Sequence, residues 1–257
     1  MVSKEELQRG LKTKTFGRKV FVFDTIDSTN ACAKTLAEAG TEEGSVVFAD
    51  YQTAGRGRMG RSWSGEPGAN VLFSIILRPS LPKEKAGFLT FFSAVCVARA
   101  VERAIDQPLE CKWPNDLILN GRKCCGILLE NSIQQDMVEC SIVGIGLNVN
   151  QENFEGLGER ATSLRKEMGK EFDRRKIFQS VLVEMDSFYE EVRVGNFERT
   201  LKEWNTRCTM FGHPVSVTQS DRLISGIAVE LSPDGGLVLE TAKGRSTFYA
   251  GDVTMAH

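Results

Sequence analysis

The stretch Gly55–Trp63, GRGRMGRSW, constrains the fold of this chain more than any other, because its glycines at 55, 57 and 60 spell G-x-G-x-x-G. Between a strand and a helix, that pattern would impose a doubly wound dinucleotide-binding sheet, with an acid roughly 20 residues further on for a ribose. The context forbids it. Gly60 is followed by RSWSGEPGAN, where Gly65, Pro67 and Gly68 break any helix, and the position roughly 20 residues on is Ser80 in RPSLP. No G-x-x-x-x-G-K-[S/T] occurs in the chain, so a P-loop is excluded as well. What remains is a glycine loop carrying Arg56, Arg58 and Arg61. In an extended chain Arg56 and Arg58 stand about 6.6 Å apart, and at an effective dielectric near 20 their repulsion reaches roughly 2.5 kcal/mol. A solvated loop relieves this by splaying the side chains. A bound carboxylate or phosphate relieves it by accepting the forked arginine donors, while the glycines let the backbone close around it. Other segments have to decide between these two readings.

The whole chain narrows the chemistry. Its 257 residues carry a net charge of −2, so the total supports no strong field toward nucleic acid or membrane. No apolar run approaches the ~20 residues of a membrane span, and the opening MVSKEELQRGLK lacks the apolar core of a signal peptide. A cytoplasmic protein is expected. The seven cysteines include no C-x-x-C pair and read as small buried hydrophobes rather than disulfides or zinc ligands. Cys124 and Cys125, adjacent in a strand-like run, should face opposite sides. The two histidines are His213, remote from every motif, and His257 at the end. Histidine-based acid–base or nucleophilic catalysis is therefore not expected.

Periodicity sets the elements. Val20–Phe23 and Ser45–Asp50 are β-rich, and STNACAKTLAEAG between them reads as a helix with Ser28 or Thr29 near its N-cap and Gly40 as terminator. ANVLFSIILRP is a buried strand. A long helix follows with Phe91, Ala94, Ala98, Val101 and Ile105 on one face and Pro108 beyond its end. Strands are expected around 117–119, 124–130 and 138–149, with Asn120–Lys123 as the hairpin turn between the first two. A second long helix spans about 173–194, its apolar stripe of Phe178, Val181, Leu182, Met185, Tyr189 and Val192 reading as core. From His213 onward, four or five short alternating strands separated by SDR, SPDGG and AKGR read as a small antiparallel barrel that can lean on its neighbour.

Three further segments carry chemistry. DSTN (Asp27–Asn30) offers hydroxyls and an amide suited to a neutral polar ring, though alone it is a helix cap. KWPNDL (Lys112–Leu117) gathers a lysine, an amide and a carboxylate around a proline turn. GRKCCGILLE (Gly121–Glu130) places Lys123 before an apolar strand. In this order and spacing, with G-R-G-R-x-G-R-x-W, they closely resemble the biotin–protein ligases over residues 20–150.

The resemblance implies an α+β fold. A mixed central β-sheet flanked by helices forms a class II synthetase-like catalytic domain over residues 20–207. A short N-terminal segment, 1–19, precedes it, and a small C-terminal SH3-like β-barrel, 208–257, follows. It implies activation of biotin with MgATP to biotinyl-5′-AMP, then transfer of biotin to a lysine of a biotin carboxyl carrier domain. By resemblance Ser28, Thr29, Asn30 and Gln52 bond the ureido ring, and Arg56, Gly57 and Arg58 close over biotin and the adenylate. Arg58 and Arg61 contact phosphates, and Lys123 bridges the biotin carboxylate and the α-phosphate. Lys123 and Arg58 are thus the expected catalytic residues. Trp63 packs against adenine or the closed loop, and Asn115, Asp116 and Asn148 serve the nucleotide, with Mg2+ arriving on ATP near Asp116. The segment before the first strand is too short for the helix-turn-helix domain of repressor members, so no DNA partner is expected, and monomer and homodimer both stay open. A lipoate or octanoate ligase or transferase of related fold and a biotin-sensing, corepressor-like binding protein are the competing readings.

Overall fold

The glycine stretch ends a strand and turns into a hairpin, with no α-helix after it. This is seen in a computed structural model that describes residues 2–154, 156, 158–219 and 222–255; His257 lies outside them. After a short helix α1 (Lys4–Gln8), capped reciprocally by Ser3 and Glu6, the chain runs β1 (Val20–Ile26), α2 (Thr29–Glu38) and β2 (Val46–Gln52). These form one βαβ unit, and β1 and β2 are the single parallel pair of the main sheet. Next come β3 (Val71–Leu77), α3 (Phe88–Ile105), β4 (Glu110–Lys112), β5 (Asp116–Leu119), β6 (Arg122–Gln134) and β7 (Met137–Leu147). The seven strands lie in the order β1-β2-β3-β7-β6-β5-β4, antiparallel beyond the first pair. Asn120 and Gly121, at φ 50° and 75°, make the β5–β6 turn, the left-handed pair that Asn-Gly favours.

Period-two alternation gives this sheet two different faces. Phe73, Ile75 and Leu77 of β3 and Val143, Ile145 and Leu147 of β7 join the main core, under α3 and α5 (Arg174–Arg193), which follows the short α4 (Leu164–Met168). The intervening Ile76 and Ile142 belong to a separate small cluster with Ala33 and Ala37 of α2. Ser74, Gly144 and Gly146 share that second face, as do Gly126, Leu128 and Glu130 of β6, paired across from Gly146, Gly144 and Ile142. One face is thus closed by helices, and the other is floored by small and polar residues beyond the reach of α2.

The helical side is core, as the α5 stripe predicts: Phe178, Val181, Leu182, Met185, Tyr189 and Val192 are all buried. Phe178 meets Phe48 and Phe73 edge-on at centroid distances of 5.3 and 5.1 Å. Glu184, 3% exposed, takes Arg99 and Arg103 of α3 as ion partners. α6 (Glu198–Arg207), which the sequence reading did not anticipate, is polar over most of its surface and buries Thr200 and Trp204. All seven cysteines are free. Strict alternation fails at Cys124 and Cys125: the β5 ladder passes from Leu117–Cys125 to Ile118–Lys123 and skips Cys124, and both thiols join the main core. Burial pushes Cys124 up to about 12 and Cys125 well above the ordinary thiol range.

The C-terminal strands β8 (Pro214–Gln219), β9 (Arg222–Leu231), β10 (Leu237–Thr241), β11 (Gly244–Phe248) and β12 (Asp252–Met255) form an antiparallel sheet ordered β11-β10-β9-β8-β12. It is seated on the first sheet's helical layer. Val215, Val217, Leu237 and Leu239 belong to the same buried cluster as α3. Gly235, at φ 85°, sits where a Cβ would come within 3.0 Å of Phe88 and Phe91, and its carbonyl accepts from Trp113 Nε1 at 3.2 Å. No helix among the described residues is long and apolar enough to cross a membrane. Because Phe178 fastens α5 to two strands, Phe178→Ala is expected to lower the unfolding free energy by about 3–5 kcal/mol in urea titrations followed by circular dichroism.

Candidate functional site

At the C-terminal end of β1 the chain enters α2 through Ser28, whose Oγ caps the Ala31 N–H. Ser28, Thr29 and Asn30 are at most 4% exposed, so their polar atoms need partners. The Thr29 N–H donates to Gln52 Oε1 at 2.7 Å, joining the start of α2 to the end of β2. Thr29 Oγ1 lies 3.0 Å from the same Oε1 and 2.8 Å from Ser74 Oγ. Ser74 Oγ lies 2.6 Å from Asn30 Oδ1, and Asn30 Nδ2 donates to Glu130 Oε2 at 2.7 Å. Gly144 permits this: a Cβ there would fall 2.0 Å from Asn30 Oδ1. The expected group of Ser28, Thr29, Asn30 and Gln52 is therefore assembled, with two additional members, Ser74 and Glu130.

Beside it lies a charged centre on the glycine floor. Trp63 rests on the facing glycines 126 and 146, where added Cβ atoms would come 2.7 and 2.5 Å from its ring. Its indole N–H is buried without an acceptor among the described residues. Lys123 Nζ stands 5.5 Å from the ring centroid and 2.6 Å from Asp116 Oδ1. The arginine loop is a small hairpin, closed by Gly57 N–H to Arg61 O at 2.7 Å and Trp63 N–H to Gly55 O at 2.8 Å. Within it Arg58 Nη1 donates to Asn115 Oδ1 at 3.2 Å, and Asn115 Nδ2 donates to Ile127 O at 2.7 Å. Burial lowers the Arg58 guanidinium from its ordinary value, against the opposing pull of Asp252 and Asp116; it remains a cation at neutral pH. Arg61 pairs with Asp252 of β12. Between the loop (residues 56–61) and Leu128–Glu130 of β6 opens a cleft of about 430 Å³.

Lys123, Asp116, Asn115, Arg58, Arg61 and Trp63 thus converge, although they come from three separate segments. Arg56 is exposed and lines the same cleft. Asn148 is placed differently: it is 4% exposed and its Nδ2 donates to Thr162 O at 3.0 Å, tying down the segment that follows β7. Its Oδ1 is buried without a partner among the described residues. Of the members the sequence did not single out, Ser74 carried a signal, a lone hydroxyl inside VLFSIIL. Glu130 and Asp252 carried none, since their roles arise from strand pairing and domain contact.

Comparison with known proteins agrees with this geometry. Residues 22–148 match the model of the biotin/lipoate A/B protein ligase family, and residues 210–255 match that of the biotin protein ligase C-terminal domain. The chain is 35% identical to the bifunctional ligase/repressor BirA of Bacillus spizizenii, over 99% of its own length and 79% of that protein's. It is 31% identical to the biotin–[acetyl-CoA-carboxylase] ligase of Mycobacterium tuberculosis, over 96% of this chain and 94% of the relative. Its fold is similar to the Aquifex aeolicus biotin protein ligase in complex with biotin and ATP, with a TM-score of 0.78, 29% identity, and coverage of 93% of this chain and 100% of that one. On this family match and on a relative 35% identical over most of both chains, the chain belongs to the biotin/lipoate A/B protein ligase family.

Proposed function

We propose that this chain is an ATP-dependent biotin–protein ligase working in two half-steps. In the first, a carboxylate oxygen of biotin attacks the α-phosphorus of ATP and the bond to the β-phosphate breaks. Biotinyl-5′-AMP and pyrophosphate result. In the second, the ε-amine of a lysine on a biotin carboxyl carrier domain attacks the acyl carbon. AMP departs, the amine sheds its proton, and an amide remains. Neither step needs an enzyme nucleophile.

The observation that carries the reading is Lys123, held at the mouth of the glycine floor between Trp63 and Asp116, with Arg58 beside Asn115 one residue away. Both reactants are anionic at the reacting atoms, so fixed cations in a partly buried site supply most of the assistance. Lys123 bridges the carboxylate and the α-phosphate, and Arg58 and Arg61 hold phosphate oxygens. Arg56 and Gly57 close the loop over the adenylate, which shields it from water. Ser28, Thr29, Asn30 and Gln52 form the ureido site, Trp63 packs on the nucleotide side, and Asn115, Asp116 and Asn148 serve the nucleotide.

The described residues hold no group of three or more histidine, cysteine or carboxylate side chains able to bind a metal. Asp116, with one oxygen on Lys123, offers a single further oxygen. That donor set would suit a Mg2+ ion arriving on the phosphates of ATP, whose charge it would offset, with Asp116 as the residue that would hold it.

Biotin-dependent exchange of labelled pyrophosphate into ATP is the direct test. Exchange with biotin and none with lipoate or octanoate is expected; exchange with lipoate alone would overturn the choice of acid. Lys123→Gln removes charge-assisted bonds worth about 1.5–3 kcal/mol, so the exchange rate is expected to fall about 10- to 150-fold at an unchanged melting temperature. Arg58→Ala is expected to speed release of biotinyl-5′-AMP far more than it lowers the melting temperature. Equal losses in both would return the arginine to a structural role.

A further inference from the structure

We infer that Met59, at the tip of the arginine hairpin, holds the closed hairpin under backbone strain and so sets how readily the loop reopens and lets go of its adenylate. The inference rests on the ligase reading above and deepens it.

The tip is a tight turn of Arg58, Met59, Gly60 and Arg61, in which the Arg61 N–H donates to the Arg58 carbonyl at 3.2 Å. Both central residues are left-handed, Met59 at φ 55° and ψ 39° and Gly60 at φ 75°. This is the two-residue hairpin turn whose first central place suits Asn, Asp or Gly. The same chain makes that favoured choice between β5 and β6, where Leu119 pairs with Arg122 around Asn120 and Gly121 at φ 50° and 75°. Two turns of one geometry thus carry different residues, and the one over the cleft carries the costly one. Elsewhere among the described residues, positive φ outside glycine falls on Asp106, Asn120, Gln135 and Asp136. Three of these have short side chains that bond locally and tolerate the conformation. Gln135 adjoins Asp136, which Lys83 holds. Met59 is apolar and 65% exposed, and a Cβ added to Gly60 beside it would meet nothing within 4 Å. The tip therefore stands clear, and little packing offsets its strain.

What imposes the conformation lies on either side of the tip. Arg58 donates to Asn115 and Arg61 pairs with Asp252, so each residue flanking the turn is fastened to another segment. Both bonds are modest, the first because its acceptor is a neutral amide and the second because a surface ion pair is worth little. Phosphate oxygens held by the same two arginines would strengthen the closed form against the strain. Once AMP departs, that support is lost and the strain at Met59 favours opening. Met59 is a positioning residue here, since it acts through Arg58 and Arg61.

Met59→Asn places the residue pair of the β5–β6 turn in this one and is expected to favour the closed form about 3- to 10-fold. Met59→Val, whose branched side chain tolerates this region least, is expected to shift the balance the other way by a similar factor. Two measurements read the shift. In the ligand-free protein, tryptic cleavage after Arg61, followed by fragment mass, tracks the open population. It is expected to slow in the Asn variant and quicken in the Val variant. With biotinyl-5′-AMP bound, its dissociation rate is expected to move in the same directions by the same factor, at an unchanged melting temperature. Equal cleavage and release in all three proteins, or faster opening in the Asn variant, would overturn the inference and leave the ligase reading standing. Changes that merely follow the melting temperature would also overturn it, by making Met59 an ordinary contributor to stability. A parent that forms no adenylate from biotin and ATP, yet whose cleavage responds as expected, would overturn the ligase reading and leave the strained turn standing.

Discussion

An indole lying flat on two glycines is the contact on which the rest of the site depends. Gly126 and Gly146 face each other across β6 and β7, and Trp63 approaches so closely that any side chain at either position would collide with it. That contact anchors the far end of the arginine hairpin to the sheet. Once Trp63 is seated, Gly55 lies against its carbonyl, Arg58 reaches Asn115, and Lys123 stands over the ring. Without the glycine floor the loop would have nothing flat to rest on, and its three arginines would revert to a solvated cluster.

The charges are kept in partnership rather than exposed. Lys123 is held by Asp116 and Arg61 by Asp252, and both pairs are partly open to water, where an ion pair is worth little. An arriving anion therefore displaces a carboxylate at small cost, and it meets cations whose positions are already set. Arg58 differs. It has no carboxylate within bonding distance among the described residues, donates to a neutral amide, and is disfavoured by burial, which makes it the cation with most to gain from a phosphate.

The C-terminal sheet contributes to this arrangement through two contacts of different kinds. Gly235 and Trp113 lock it to the proline turn that carries Asn115 and Asp116, in the interior. Asp252 reaches the arginine hairpin at the surface. The turn and the loop are thus braced from the same direction, and the core runs without a break from α3 into β8 and β10.

Much of this was legible in the residues alone. The α5 stripe, the Asn-Gly turn before Lys123, the capped start of α2 and the exclusion of a dinucleotide fold all follow from local chemistry: periodicity, turn conformations and helix breakers act within a few positions. The motifs that mark the family could likewise be read from order and spacing. What could not be read are the relations between distant strands. Ser74 looks like an oddity in an apolar run until pairing sets it opposite Gly144 and beneath Asn30. Glu130 looks like a strand-end carboxylate and Cys124 like a regular strand residue, and nothing in GIGLNVN shows that Asn148 also holds the carbonyl of Thr162. The sequence by itself determined the long helices, most of the strands, the apolar stripe of α5 and which family the chain resembles, while α6 and the break in alternation at Cys124 escaped it. Only the tertiary structure decided which polar atoms meet, because register and sheet order depend on contacts far apart in the chain, and a one-residue slip would turn each of these side chains to the other face.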